Sequence, residues 1–211
     1  MIISRDFGLV DINACWEQMK QFTDNRDSQT NDEIWFVEHK PVYTLGLNSD
    51  IKHIINPKDI PIVKLDRGGQ VTYHGPGQLI MYTLFDIARL ENSIRRFIEL
   101  IDKFTIEALA CCKLAAAGNR NAPGVYVDSK KIASLGIRVK KGRSYHGVAI
   151  NHNPDLGPFN GINPCGYEGM KVTSLQELNI SIERSDLMDY LESAYQKMLN
   201  TEVVRYDPLV I

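Results

Sequence analysis

Long apolar runs, an excess of either charge and paired cysteines are all missing from this sequence, and each absence closes off a class of function. No stretch approaches the roughly 20 apolar residues that a bilayer-spanning helix requires. The opening run MIISRDFGLVDIN has no apolar core of the secretory type, so a cytoplasmic protein with no membrane partner is expected. Lys and Arg number 24 against 26 Asp and Glu, for a net charge of −2. That balance offers no basic footprint, and nucleic acid is not an expected partner. The four cysteines, Cys15, Cys111, Cys112 and Cys165, include no C-x-x-C pair. They make neither a disulfide framework nor a zinc site and read as free thiols. His39, His53, His74, His146 and His152 lack any tight ligand spacing, so no metal is expected. Repeats, low-complexity segments and inter-domain linkers are absent too, which predicts one domain over residues 1–211.

What is present is a mixture of strand and helix patterns. Ile12, Cys15, Trp16, Met19 and Phe22 recur at helical spacing across 9–23, and Asp11 can cap them. EIWFVEH at 33–39, VYTLG at 42–46, IVKLD at 62–66 and QLIMYTLFDI at 78–87 read as strands. From Ser93 to Ala116 the period is helical, carried by Ile94, Phe97, Ile98, Ile101, Phe104 and Ala108, with Gly118 as the expected stop. VYV at 125–127, KIASLGIRV at 131–139 and YHGVAIN at 145–151 are separated by short polar breaks and predict an antiparallel meander. Residues 153–172 hold three prolines and four glycines and predict a long irregular loop of the kind that often carries function. Ser174 with Glu177 fits a capping box opening a short helix, and 185–199 reads as a final amphipathic helix. Strands and helices mix without regular βαβ alternation. The expected fold class is α/β, a single-domain sandwich on a mixed, largely antiparallel sheet.

The densest chemical signal is Arg67-Gly68-Gly69-Gln70-Val71-Thr72-Tyr73-His74-Gly75-Pro76-Gly77-Gln78. Its glycines allow sharp turns and close backbone approach to a ligand, and polar side chains interleave them. An apolar strand follows at once, which suggests a pocket with a polar mouth and an apolar wall. The loop is neither a Walker A motif nor G-x-G-x-x-G. By composition alone it is as readily an elaborate turn as a binding element.

The order of these residues, however, resembles the signature of the octanoyltransferases of lipoate biosynthesis. Four further segments agree with that family: Glu38-His39-Lys40-Pro41-Val42-Tyr43-Thr44-Leu45-Gly46, Lys131-Ile132-Ala133-Ser134-Leu135-Gly136-Ile137-Arg138-Val139, His146-Gly147-Val148-Ala149-Ile150-Asn151 and Asn163-Pro164-Cys165-Gly166. The resemblance implies the fold of the biotin and lipoate protein ligase catalytic domains. It also implies a catalytic pair, Cys165 and Lys131. Substrate-binding segments would be Arg67 through His74, Ser134-Leu135-Gly136 and Gly147-Val148-Ala149, with His39 and Tyr82 in support.

Cys165 stands apart from the other thiols on the residues themselves. Cys15, Cys111 and Cys112 sit at or beside helical core positions, where an inert buried cysteine is the natural reading. Cys165 instead lies in the Pro/Gly-rich loop. A free thiol is only a few per cent ionised at neutral pH, so a catalytic one needs a positive neighbour. Lys130 and Lys131 would point to opposite faces of a strand, and the family's order selects Lys131.

The resemblance implies a two-step acyl transfer, the first step of endogenous protein lipoylation. Octanoyl would pass from octanoyl-acyl carrier protein to Cys165, then to a lysine on the lipoyl domains of 2-oxoacid dehydrogenase complexes or the glycine cleavage H protein. No cofactor is needed, because the acyl group arrives activated. The rivals are an ATP-dependent lipoate–protein ligase of the same fold, a thioesterase, and a non-catalytic acyl- or lipoyl-domain-binding homologue. Lys140, Lys141 and Arg143, clustered in one predicted turn, are candidates for docking an acidic carrier.

Overall fold

The computed structural model describes residues 1–90, 93–119 and 121–208. Its centre is an eight-stranded sheet in the order β11-β1-β2-β6-β10-β9-β8-β7. In chain order the strands are β1 (Ile2–Val10), β2 (Asp32–His39), β6 (Gln78–Leu84), β7 (Ala117–Gly118), β8 (Gly124–Val127), β9 (Lys130–Lys140), β10 (Arg143–Asn151) and β11 (Val203–Arg205). A separate three-stranded sheet runs β4-β3-β5, from β3 (Val42–Leu45), β4 (Ile62–Lys64) and β5 (Thr72–His74). The β1 pairings with β11 and β2 are parallel, while β2 through β7 pair antiparallel. The mixed, largely antiparallel α/β expectation therefore holds.

Period-two alternation explains why the central strands read as continuous apolar runs. Ile34 and Phe36 of β2, Leu79 and Met81 of β6, and Val148 and Ile150 of β10 face one core. Helices α2 (Ile94–Cys111) and α3 (Arg184–Leu199) cover it with Phe97, Ile101, Phe104, Leu187, Leu191 and Tyr195. Their neighbours in the same strands, Trp35, Val37, Ile80, Tyr82 and Ala149, face a second core under Cys15 and Met19 of α1 (Ile12–Asn25). Burial on both faces leaves no polar side to the central strands.

The Asp11 cap is as expected, and Ser93 adds a second. Asp11 accepts the N–H groups of Asn13 and Ala14 at 2.9 and 3.0 Å, and Ser93 accepts that of Arg96 at 3.2 Å. Two expectations need correction. The α2 helix ends at Cys111, and the turn beyond it uses Lys113 at φ 61°, so Gly118 belongs to β7 and is not the stop. Ser174 does accept the Glu177 N–H at 3.1 Å, but residues 175–179 form turns and no helix follows. Strands β1, β5 and β11 had no clear strand pattern. β1 carries Arg5 and Asp6 and a register shift at Gly8, and β5 is three residues inside the glycine-rich segment.

Candidate active site

The glycine-rich segment folds as a loop pressed between the two sheets. A Cβ on Gly46, at the end of β3, would lie 2.3 Å from the Gly69 carbonyl. One on Gly136, in β9, would lie 2.9 Å from the Gly68 carbonyl. Glycine at both positions is what lets the loop pass. Arg67 anchors its start, donating to Thr44 O at 2.6 Å, to Thr44 Oγ1 at 2.8 Å and to Gly68 O at 2.9 Å. Burial brings the guanidinium down to about 10, which leaves it charged at neutral pH.

Beside this loop lies a cavity of about 390 Å³, the size of a small-ligand site. Arg67, Gly68, Gly69, Gln70, Val71, Thr72 and His74 line it from the loop and β5. Tyr82, Ser134, Leu135, Gly136, Gly147, Val148 and Ala149 line it from the large sheet, and Cys165 lies on its wall. Three of the expected residues do not line it. Tyr73 alternates to the other face of β5 and packs against Tyr43 and Phe159. His39 stands behind Tyr82, and Lys131 approaches Cys165 from outside the cavity wall. Leu65, Ile80, Ile137, His146 and Tyr167 also contribute to the lining.

Cys165 and Lys131 meet. The Lys131 ammonium donates to Cys165 Sγ at 2.9 Å and to Pro123 O at 2.9 Å, and the lysine is 1% exposed. A Cβ on Gly124 would come within 3.1 Å of Lys131 Cε, so glycine there leaves room for the stem. The backbone ties the pair together. Lys131 N–H donates to Lys171 O and Thr173 N–H to Lys131 O, both at 2.9 Å, so the segment after the Cys165 loop is bonded to the lysine's own strand. Cys165 itself is left-handed, at φ 55° and ψ 18°, with its N–H held by Val71 O at 3.0 Å. A non-glycine residue in that region costs about 1–3 kcal/mol and persists where surrounding contacts enforce it.

The other thiols are set against reactivity. Burial, with Asp11 nearby, pushes Cys15 up to about 12, and burial raises Cys112 as well. Cys111 is exposed on the last turn of α2 and does not line the cavity.

The polar wall of the cavity is held by neutral imidazoles. His39 Nδ1 donates to Val10 O at 2.9 Å, so its Nε2 accepts the Tyr82 hydroxyl at 2.7 Å. His74 Nδ1 donates to Gln78 Oε1 at 3.0 Å, since Gln78 Nε2 already donates to Tyr73 O and Asn151 Oδ1. His146 Nε2 donates to Asp66 at 3.1 Å, and Trp16 and Tyr145 donate to the same carboxylate. Burial alone would raise Asp66, but these three donors hold it well below the usual carboxylate range. This cluster was not foreseen. Its partners lie 50, 79 and 80 residues from Asp66, and an acidic residue at the end of a predicted strand gives no hint of them. His53 sits beside the Cys165 loop, where its carbonyl accepts the Asn163 N–H at 2.8 Å.

These imidazoles predict an acid-sensitive fold. Burial pushes His39 down to about 4 and His74 to about 3, and burial lowers His146 despite Asp66. In the unfolded chain each titrates near ~6.5. Between those values the unfolded state binds more protons, so stability falls as pH drops below ~6.5. Asp102, which burial raises to about 6, works the other way below that pH, but it is one group against three. Thermal unfolding followed by circular dichroism is expected to give a constant Tm from pH 8 to 6.5 and a steep fall by pH 4.5. A flat profile across pH 7 to 5 would contradict the assignment of neutral imidazoles.

The basic turn is partly committed elsewhere. Lys140 pairs with Asp24 at 2.8 Å and Arg143 donates to Thr23 O at 3.4 Å, both at the end of α1. It therefore presents less free charge to a carrier than its sequence suggests. Among the described residues, no three His, Cys, Asp or Glu side chains are grouped to hold a metal, and no helix is long and apolar enough to cross a membrane.

Comparison with known proteins identifies the fold and the family. The family described as lipoyl protein ligase A/B catalytic domain matches residues 11–196. An octanoyltransferase of Chromobacterium violaceum is 45% identical over 199 residues, covering 94% of this chain and 96% of its own. One of Coxiella burnetii is 51% identical over 183 residues, covering 87% and 76%. Among solved structures, a lipoate-protein ligase A bound with ATP superposes with a TM-score of 0.81 at 13% identity, covering 99% of this chain and 90% of that one. The biotin protein ligase of Aquifex aeolicus, in complex with biotin and ATP, reaches 0.59 at 13% identity, covering 94% and 70%. At such identities the likeness establishes the fold, while the closer relatives establish the kind of enzyme. The chain belongs to the lipoyl protein ligase A/B catalytic-domain family and, within it, to the octanoyltransferases, which are acyltransferases.

Proposed function

We propose that residues 1–211 form one cytoplasmic catalytic domain that moves octanoyl from octanoyl-acyl carrier protein to a lysine of a lipoyl domain, through a thioester on Cys165. The observation that carries this reading is the 2.9 Å contact between the Lys131 ammonium and Cys165 Sγ at the wall of the cavity. The octanoyl chain lies in that cavity against Leu65, Ile80 and Val148. The acceptors are the lipoyl domains of 2-oxoacid dehydrogenase complexes and the glycine cleavage H protein.

In the first half-reaction the Cys165 thiolate attacks the carrier's thioester carbon. The tetrahedral oxyanion collapses, the C–S bond to the carrier breaks, and Lys131 gives its proton to the departing thiolate. In the second, the neutral amine of the target lysine attacks the enzyme thioester and yields its proton to Lys131. Collapse then expels the Cys165 thiolate beside a recharged ammonium. Exchange of one thioester for another is nearly isoenergetic, and amide formation draws the sequence forward. No step consumes ATP.

The test is intact mass spectrometry after mixing with octanoyl-acyl carrier protein and no nucleotide. The expected result is one octanoyl adduct that maps to Cys165, is released by neutral hydroxylamine and is discharged by an added lipoyl domain. Octanoylation that required ATP and free octanoate would instead make the chain a ligase.

A further inference from the structure

The thioester reading of Cys165, on which this inference rests, creates a negative oxygen in both half-reactions, and a preorganised donor must meet it. The nucleophile's own N–H is the usual place to look, and here it is occupied. Cys165 N–H donates to Val71 O at 3.0 Å. The next two are occupied as well, Gly166 N–H by Asn163 O at 2.9 Å and Tyr167 N–H by Pro164 O at 3.1 Å. The turn carrying the sulfur thus has its N–H groups turned inward, to hold the left-handed geometry at 165.

Gln70 offers the missing donor. Its Cγ and Cδ lie 3.2 and 3.4 Å from where a Cβ on Gly166 would stand, so the side chain packs against the residue after the nucleophile. It lines the same cavity as Cys165. Gln70 Oε1 accepts the Asp50 N–H at 3.3 Å, which fixes the oxygen end of the amide. Nε2, the other end, donates to no acceptor among the described residues. A pinned amide with a free N–H, packed against the residue after the nucleophile in the same cavity, is a donor of the kind an oxyanion hole requires. We propose that Gln70 Nε2 donates a hydrogen bond to the thioester oxygen as it becomes an oxyanion, in both acylation of Cys165 and its discharge. As Sγ bonds to the carbonyl carbon, the C=O π pair moves onto oxygen. It returns when the carrier's C–S bond breaks, and no proton passes through Gln70.

Loss of one oxyanion donor lowers kcat by about 10²–10³-fold in acyl transfer. Gln70→Ala is expected to show that loss in single-turnover acylation and in discharge to a lipoyl domain, with little change in KM for the carrier. Alkylation of Cys165 by iodoacetamide passes through no oxyanion and should keep its parental rate. Gln70→Glu retains shape and the acceptor for Asp50 N–H but replaces the donor with a carboxylate, so it should fall at least as far. It also serves if the alanine variant does not fold. The proposal is overturned if either variant acylates within about threefold of parent, or if alkylation of Gln70→Ala falls in parallel with its transfer. Loss of the adduct site in parent enzyme would instead overturn the Cys165 reading itself.

Discussion

Cys165→Ser is expected to lose acyl transfer by about 10⁴-fold or more, the scale seen when an enzyme's nucleophile is removed. A serine hydroxyl is far less acidic than a thiol and is not ionised by a neighbouring ammonium. The substitution is a fair one structurally. Serine meets the same left-handed strain as cysteine at φ 55°, and its oxygen still accepts from Lys131. Folding should therefore be retained while the chemistry is lost. Cys15→Ser and Cys112→Ser serve as controls, since both thiols are buried and raised away from reactivity. The measurement is octanoyl transfer to a lipoyl domain, together with the mass of the enzyme after exposure to the acyl donor. A hydroxylamine-labile adduct that survives unchanged in Cys165→Ser would place the nucleophile elsewhere.

Lys131→Met should be nearly as damaging. Methionine keeps most of the stem in its slot beside Gly124 but removes the charge that faces Sγ and the proton that each half-reaction moves. General acid–base catalysis supplies about 10²–10⁴-fold, so transfer is expected to fall by that factor. Alkylation of Cys165 by iodoacetamide at neutral pH needs only the charge. It should therefore slow by less than transfer does. The gap between the two losses is the signature of a lysine that moves protons as well as holding a thiolate. Lys130→Met is the internal control and should leave both rates close to parent. If Lys130→Met reproduced the defect while Lys131→Met did not, the pair would be wrongly assigned.

Much of this was legible along the chain because it is local. Strand β6 and the β8–β9–β10 meander are written in apolar patterns and short polar turns, and α1 and α2 announce themselves by period, α1 also by its cap Asp11. Cys165 was separable from three other thiols because it alone sits in a Pro/Gly loop rather than on an apolar stripe. Strand β5 was hidden because its three residues look like loop, and it becomes a strand only by pairing with β3. Strands β1 and β11 likewise exist through their partners, since an isolated strand has no hydrogen bonds of its own.

The sequence by itself determined the fold class and singled out, among four thiols, the one proposed here as the nucleophile. Those depend on residue type and near-neighbour order, which a chain carries openly. Only the tertiary structure decided where donors and acceptors go. It commits the Cys165 N–H to Val71, turns Tyr73 away from the cavity, and builds the Asp66 cluster from Trp16, Tyr145 and His146. A hydrogen bond is satisfied by distance in space, and residues as far apart in sequence as these meet only once the sheets have packed.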